Sequence, residues 1–176
     1  MKTIYISGPI TDLKTGQPRE GWQQDFLDAE AKLRRMGFQV INPVDIAQEV
    51  EEANRWQWEC TSHLCTSTGD PIPPTRADYI MACLQRMKLN HTFDRLHGVY
   101  VIGLKKHNDC GCGANSAIFH SDGVQMELHM ACVLGIPIFA QFCDDSEINL
   151  RLVPVKDGQR LLDNGDFGKE NWSKRL

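Results

Sequence analysis

Glu127 is the lone acid between Gly123 and Cys143, inside the stretch SDGVQMELHMACVLGIPIF that runs from Ser121 to Phe139. That stretch reads as a helix running into a buried strand. A helix start presents unpaired backbone N–H groups and a partial positive charge, which favour anions. Ser121 can add a hydroxyl there, and Gly123 lets the backbone approach a ligand closely. Glu127 lies about one turn in, with a side chain that leans back toward the N-terminal end. The helix dipole favours its ionised form, whereas partial burial works the other way. A carboxylate held ionised against a ligand pocket can serve as a nucleophile. A plainer reading stands beside this one, because acids in the first turns of helices often serve only the dipole, and Ser121 or Asp122 can simply be an N-cap. Spacing alone does not choose between them.

A second candidate is SGPI, Ser7 to Ile10, at the end of a strand-like run. In an open parallel sheet, ligands collect beyond the carboxyl ends of the strands where the strand order reverses, and both candidates belong there. A glycine–proline pair is equally the mark of a turn.

The elements that must position these residues follow from hydrophobic spacing. KTIYISG reads as a buried strand ending at Gly8–Pro9, followed by a polar loop with two glycines and a proline. Trp22, Phe26, Ala29, Leu33 and Met36 then recur at helical spacing, and Gly37 is a natural stop. FQVI is a second strand, completing a βαβ unit. DIAQEVEEANRWQW reads as a surface helix, Cys60–Pro74 as a loop insertion, and Thr75 as the cap of a helix to about Lys88, with Ile80, Leu84 and Met87 on one side. GVYVIGL is a third buried strand, Lys105–His120 a second long loop, and IPIFA a fourth strand. INLRLVPV reads as an edge strand, and beyond about residue 145 little else is specified. The sum is a single domain over residues 1–176, an α/β fold with a doubly wound parallel sheet flanked by helices and two long loop insertions.

A net charge of −4 gives none of the basic footprint that nucleic acid requires, so a small-molecule partner is expected instead. No apolar run reaches the roughly 18 residues of a membrane span. The start MKTIYISG carries no charged-then-apolar signal segment. Seven cysteines, an odd number scattered through apolar and loop contexts, argue against a disulfide framework and for a reducing, cytoplasmic setting.

Two clusters resemble zinc-ligand material: Cys60, His63 and Cys65 in one long loop, and His107, Cys110 and Cys112 in the other. Neither follows a standard finger spacing, and no metal is assigned. Trp56 and Trp58 can stack on a base or pack down an insertion. Trp22 follows the helix stripe and reads as core. His129, two residues beyond Glu127, points to another helix face.

IYISGPI, LRRMGFQVINPVDI and SDGVQMELHMACVLGIPIF resemble three landmarks, in order and approximate spacing, of the nucleoside 2-deoxyribosyltransferase-like superfamily. That group includes deoxyribosyltransferases, 2′-deoxynucleoside 5′-monophosphate N-hydrolases and small phage or bacterial members. The resemblance covers about half the chain. It implies a flavodoxin-like fold, a homo-oligomer whose subunits share pockets, a nucleoside or nucleotide ligand, and cleavage of the bond between a base and a 2-deoxyribosyl carbon with no cofactor. The family's nucleophilic glutamate falls on Glu127. The position six before it is an aspartate in the transferases and a phosphate-holding serine in the nucleotide hydrolases; here it is Ser121. The pocket-lining loop falls on Ser7, Gly8 and Pro9. The implied chemistry is similar to that of a retaining glycosidase.

The family also supplies a proton donor for the leaving base, usually an aspartate at the start of the third strand. The matching position here is Gly98, with Asp94 and His97 nearby but out of register. The rival expectation is a nucleotide-binding module that kept the pocket and lost the acid. A zinc-stabilised interaction domain is a third.

Overall fold

The structure is a computed structural model that describes residues 2–11, 15, 17–60, 72–106, 121–142 and 151–153. Five strands form one sheet: β1 (Thr3–Ser7), β2 (Gln39–Ile41), β3 (Leu96–Lys106), β4 (Ile138–Phe142) and β5 (Arg151–Val153). Four helices accompany them: α1 (Trp22–Arg35), α2 (Pro43–Cys60), α3 (Arg76–Thr92) and α4 (Asp122–Val133). The spatial order is β2-β1-β3-β4-β5. The first four strands are parallel, and β5 pairs antiparallel with β4 at the edge. The expected α/β class and the edge strand are both present.

Strand β1 is buried along its whole length, and its alternation sends residues to two different layers. Ile4 and Ile6 pack with Phe26, Ala29 and Leu33 of α1 and with Tyr100 of β3. Tyr5 faces the other way, with Val99 and Val101 of β3, Cys83 and Met87 of α3, and Val124, Leu128 and Ala131 of α4. Helices therefore cover both faces of the sheet. Helix α2 was expected on the surface, but its first turn enters both layers through Val44 and Ile46. In α3 the buried positions are Cys83 and Met87, with Ile80 and Leu84 half-buried beside them; the thiol completes the apolar stripe.

Three helices end by one device. At the end of α1, Gly37 has φ +86, its N–H reaches Arg34 O, and Phe38 N–H returns to Leu33 O. At the end of α4, Gly135 has φ +67 and Ile136 N–H returns to Ala131 O. Both are Schellman endings that turn the chain straight into the next strand. Helix α3 ends the same way, but Asp94 takes the left-handed position at φ 52, with Arg95 N–H on Asn90 O. Asp94 therefore serves as a helix terminator.

From β1 the chain crosses to β2 on one side and later returns to β3 on the other. The strand order thus reverses between β1 and β3, and the crevice at their carboxyl ends begins at Ser7, which lies in register with Val101. Most of the two long loops expected from the sequence falls at 61–71 and 107–120, outside the described residues; β3 itself continues through Lys106.

Candidate active site

The buried face of α4 is Val124, Glu127, Leu128 and Ala131, the i, i+3, i+4, i+7 stripe of a packed helix. Glu127 occupies an interior place in that stripe, where an apolar residue would cost nothing. Only 7% of it is exposed. A buried carboxylate survives when its oxygens are satisfied, and here both are. Tyr5 Oη donates to Glu127 Oε1 at 2.6 Å, and Ser7 Oγ donates to Glu127 Oε2 at 2.6 Å. The two donors come from one face of β1 because residues two apart point the same way.

Burial drives the Glu127 carboxyl up to about 7, and the hydrogen bonds from Ser7 and Tyr5 pull in the opposite direction without cancelling it. Glu127 is the sixth residue of α4, beyond the first turn where the dipole acts strongly. Of the two effects weighed from the sequence, burial wins. Burial, with the Glu127 charge next, also raises the Tyr5 hydroxyl well above its usual value, so it stays a donor. The Cys83 thiol is pushed up to about 12 by burial and then by the same charge, so it stays protonated. The result is a carboxylate with two fixed donors, able to switch between charged and neutral near neutral pH.

Ser7, Gly8 and Pro9 sit where the sequence put them, at the carboxyl end of β1, with Ser7 as its last residue, but their parts differ. Ser7 is fully buried and its hydroxyl is committed to Glu127. Gly8 is a true close approach: a Cβ there would lie 3.1 Å from Phe26 Cζ and 3.3 Å from Ile102 Cβ. The Pro9 carbonyl accepts from Arg19 Nε at 2.7 Å, Arg19 N–H reaches Ile10 O at 2.8 Å, and the guanidinium pairs with Asp25 at 2.5 Å. Arg19, a residue the sequence did not single out, thus ties the loop after β1 to α1.

Ser121 caps α4 with φ −80 and ψ 108, yet its hydroxyl makes no cap hydrogen bond and is only 6% exposed. Gly123 has room for a Cβ, which would meet Ile80 Cγ1 at 3.8 Å and Ser121 Oγ at 4.0 Å, so nothing in the described fold itself demands glycine there. Asp122 pairs with Arg76 of α3 at 3.1 Å.

The positions weighed for a proton donor are elsewhere. Gly98 faces the α1 layer, where an added Cβ would lie 2.4 Å from Phe139 Cε2, so any side chain there must displace the Phe139 ring. His97 Nδ1 accepts from Thr3 N–H at 3.1 Å, at the amino end of the sheet. Four residues of β1 separate that end from Ser7, roughly 13 Å at strand rise. Asp94 lies before β3 at the same end. His129 is exposed on another face of α4. Trp22 is half-buried, edge-on to Phe26 at 5.9 Å, and belongs to the α1 packing.

Among the described residues no group of three potential metal ligands occurs. Of the two cysteine–histidine clusters, only the backbone of Cys60 is described, so both lie outside what the geometry addresses, as do the side chains of Trp56 and Trp58. No described helix is long and apolar enough to cross a membrane.

Tyr5 is a side chain of the candidate site that sequence reasoning missed. Its signal was present in IYIS, where the two residues with hydroxyls alternate with two isoleucines, and a buried tyrosine hydroxyl needs a partner. Compared with known proteins, the chain matches no family model, no curated protein and no solved structure.

Proposed function

We propose that the protein is an enzyme that cleaves the base–sugar bond of a deoxynucleoside or its 5′-monophosphate, with Glu127 as nucleophile. The observation that carries this reading is the Glu127 carboxylate, buried at the sheet's switch point with one donor on each oxygen. In the first step an Oε atom attacks the anomeric carbon and the C–N bond breaks. Its electron pair leaves with the base, which takes up a proton. In the second step water, or a second base, attacks the same carbon and releases the carboxylate. Tyr5 and Ser7 stabilise the carboxylate as it re-forms, and they hold its orientation before attack. Two displacements at one carbon retain configuration.

The parallel order β2-β1-β3-β4 supports a flavodoxin-like framework within this proposal, with the antiparallel β5 as its departure. Asp94, Gly98 and His97 take no part. The donor to the leaving base is not among them. The same reading includes a homo-oligomer in a reducing cytoplasm and no cofactor. The thiols of Cys83 and Cys132, neither of them in a disulfide, are compatible with that setting.

The test is chromatographic detection of free base over a panel of deoxynucleosides, ribonucleosides and their 5′-monophosphates, with and without an acceptor base. Release is expected from the wild type and a loss of at least about a thousandfold in Glu127→Ala. The arm with an acceptor base distinguishes hydrolysis from transfer, and the panel's best substrate shows whether Ser121 marks a phosphate site. Ligand binding without any turnover would instead favour the binding-module reading.

A further inference from the structure

We infer that the His97 imidazole is a proton-controlled latch at the amino end of the sheet. Neutral, it fastens β1 to β3; protonated, it releases β1 and closes the turn between α3 and β3 instead. The latch does not depend on the base-cleavage reading.

It sits at an irregularity in the pairing. Thr3 lies opposite Leu96 and Ile4 opposite Gly98, so His97 is an extra residue in β3, a bulge. The slip leaves Leu96 and Val99, three residues apart, in one layer, where unbroken alternation would separate them. A bulge interrupts the ladder, and here a side chain fills the gap. Thr3, only 7% exposed, donates its N–H to His97 Nδ1 at 3.1 Å. The same Nδ1 lies 2.7 Å from the Arg95 carbonyl oxygen.

These two partners exclude one another. A ring nitrogen carries in its plane either a lone pair or a hydrogen. With the lone pair, Nδ1 accepts from Thr3, the ring proton sits on Nε2, and the Arg95 oxygen meets a second acceptor. With a hydrogen, Nδ1 donates to the Arg95 oxygen, and the Thr3 N–H faces another N–H. A proton taken from water onto Nδ1 therefore moves the bond from between two strands to within one turn. Imidazole is the side chain suited to such a change between about pH 5 and about pH 8.

Around His97, Lys2 before β1, Asp94 and Arg95 before β3, and Arg34 and Arg35 at the end of α1 are all exposed. The Arg95 guanidinium lies over the Phe93 ring, 5.6 Å from its centroid. His91 is half-buried at the end of α3, β2 and β4 begin with the uncharged Gln39 and Ile138, and α4 ends in Val133. Solvent and salt screen exposed charges, whereas both backbone partners touch the ring itself.

Nuclear magnetic resonance of the isotope-labelled chain reads both states. At about pH 8 the ring is expected as the Nε2–H tautomer, with a coupling across the hydrogen bond between the Thr3 amide nitrogen and His97 Nδ1. At about pH 5 the coupling should vanish, and Thr3 amide exchange, relative to its intrinsic rate, should quicken about tenfold. In His97→Asn the side-chain oxygen stands in as an acceptor that does not titrate, so Thr3 exchange should lose its pH dependence. An Nδ1–H tautomer or a missing coupling at the higher pH would overturn the inference, as would a coupling that survives at the lower. The same pH dependence in His97→Asn would assign the change to another group and overturn it equally. Where His97→Asn does not fold, the wild-type ring nitrogens decide.

Discussion

Tyr5 and Glu127, 122 residues apart in the chain, meet through one 2.6 Å hydrogen bond that links β1 to the last described helix. With Ser7 on the second oxygen, it fixes a carboxylate inside a packed core. The bond is charge-assisted when Glu127 is ionised, which makes it stronger than a neutral one and sets its effect on the acidity of the group.

Removing either donor should therefore raise the Glu127 carboxyl above its value of about 7. A hydrogen bond to a charged group contributes about 1.5–3 kcal/mol. At about 1.4 kcal/mol per pH unit, Tyr5→Phe or Ser7→Ala should move the rising limb of kcat/KM up by roughly one to two units. The pH profile of base release checks this. A limb that stays in place in both variants would mean that these bonds do not serve the ionised form.

Stability should run against activity. The folded carboxyl titrates at about 7 and its ordinary value is 4.5, so the folded state holds a proton that the unfolded chain has released between those values. The group's favourable contribution is complete below the unfolded value and is lost as pH rises through the folded one. The change is on the order of 3 kcal/mol. Glu127→Gln should consequently raise the melting temperature at pH 8 and make little difference near pH 4.5. Equal shifts at both pH values would contradict the assignment.

Arg19 should matter to the site without touching it. Arg19→Ala removes the hydrogen bond to the Pro9 carbonyl and the pairing with Asp25, freeing the loop that follows Ser7. A fall of about tenfold in kcat/KM is expected. Arg19→Lys should rescue little, because a single ammonium cannot reproduce the fork that reaches two partners. Full activity in Arg19→Ala would show that Ser7 is held by the strand alone.

Asp94 and Gly98 give opposite expectations at neighbouring positions. Asp94→Gly places glycine where α3 ends at positive φ, so melting temperature should hold or rise slightly and base release should persist. Gly98→Asp drives a carboxylate into the Phe139 ring and should destabilise the fold by several kcal/mol. Loss of base release in a folded Asp94→Gly protein would restore Asp94 as a candidate donor.

The layers were legible because their signals are local. The α1 stripe from Trp22, the stop at Gly37 and the succession of strands all depend on spacing that neighbours enforce. Glu127 was legible as an acid out of place, and Ser7 as a residue at a strand end. Their contact was not, since strand pairing brings together residues more than a hundred positions apart. Tyr5 was hidden inside a run read simply as apolar. Asp94 looked like a replacement acid because the left-handed position ending α3 is usually glycine. Gly98 looked like a lost acid because nothing in the sequence places the Phe139 ring over it.

The most direct measurement of the central claim is peptide mass spectrometry of enzyme quenched in acid during turnover. A deoxyribosyl adduct is expected on the peptide that carries Glu127, absent without substrate and absent in Glu127→Gln. Base release that continues in Glu127→Gln, or an adduct mapped to a different residue, would contradict the assignment of Glu127 as the nucleophile.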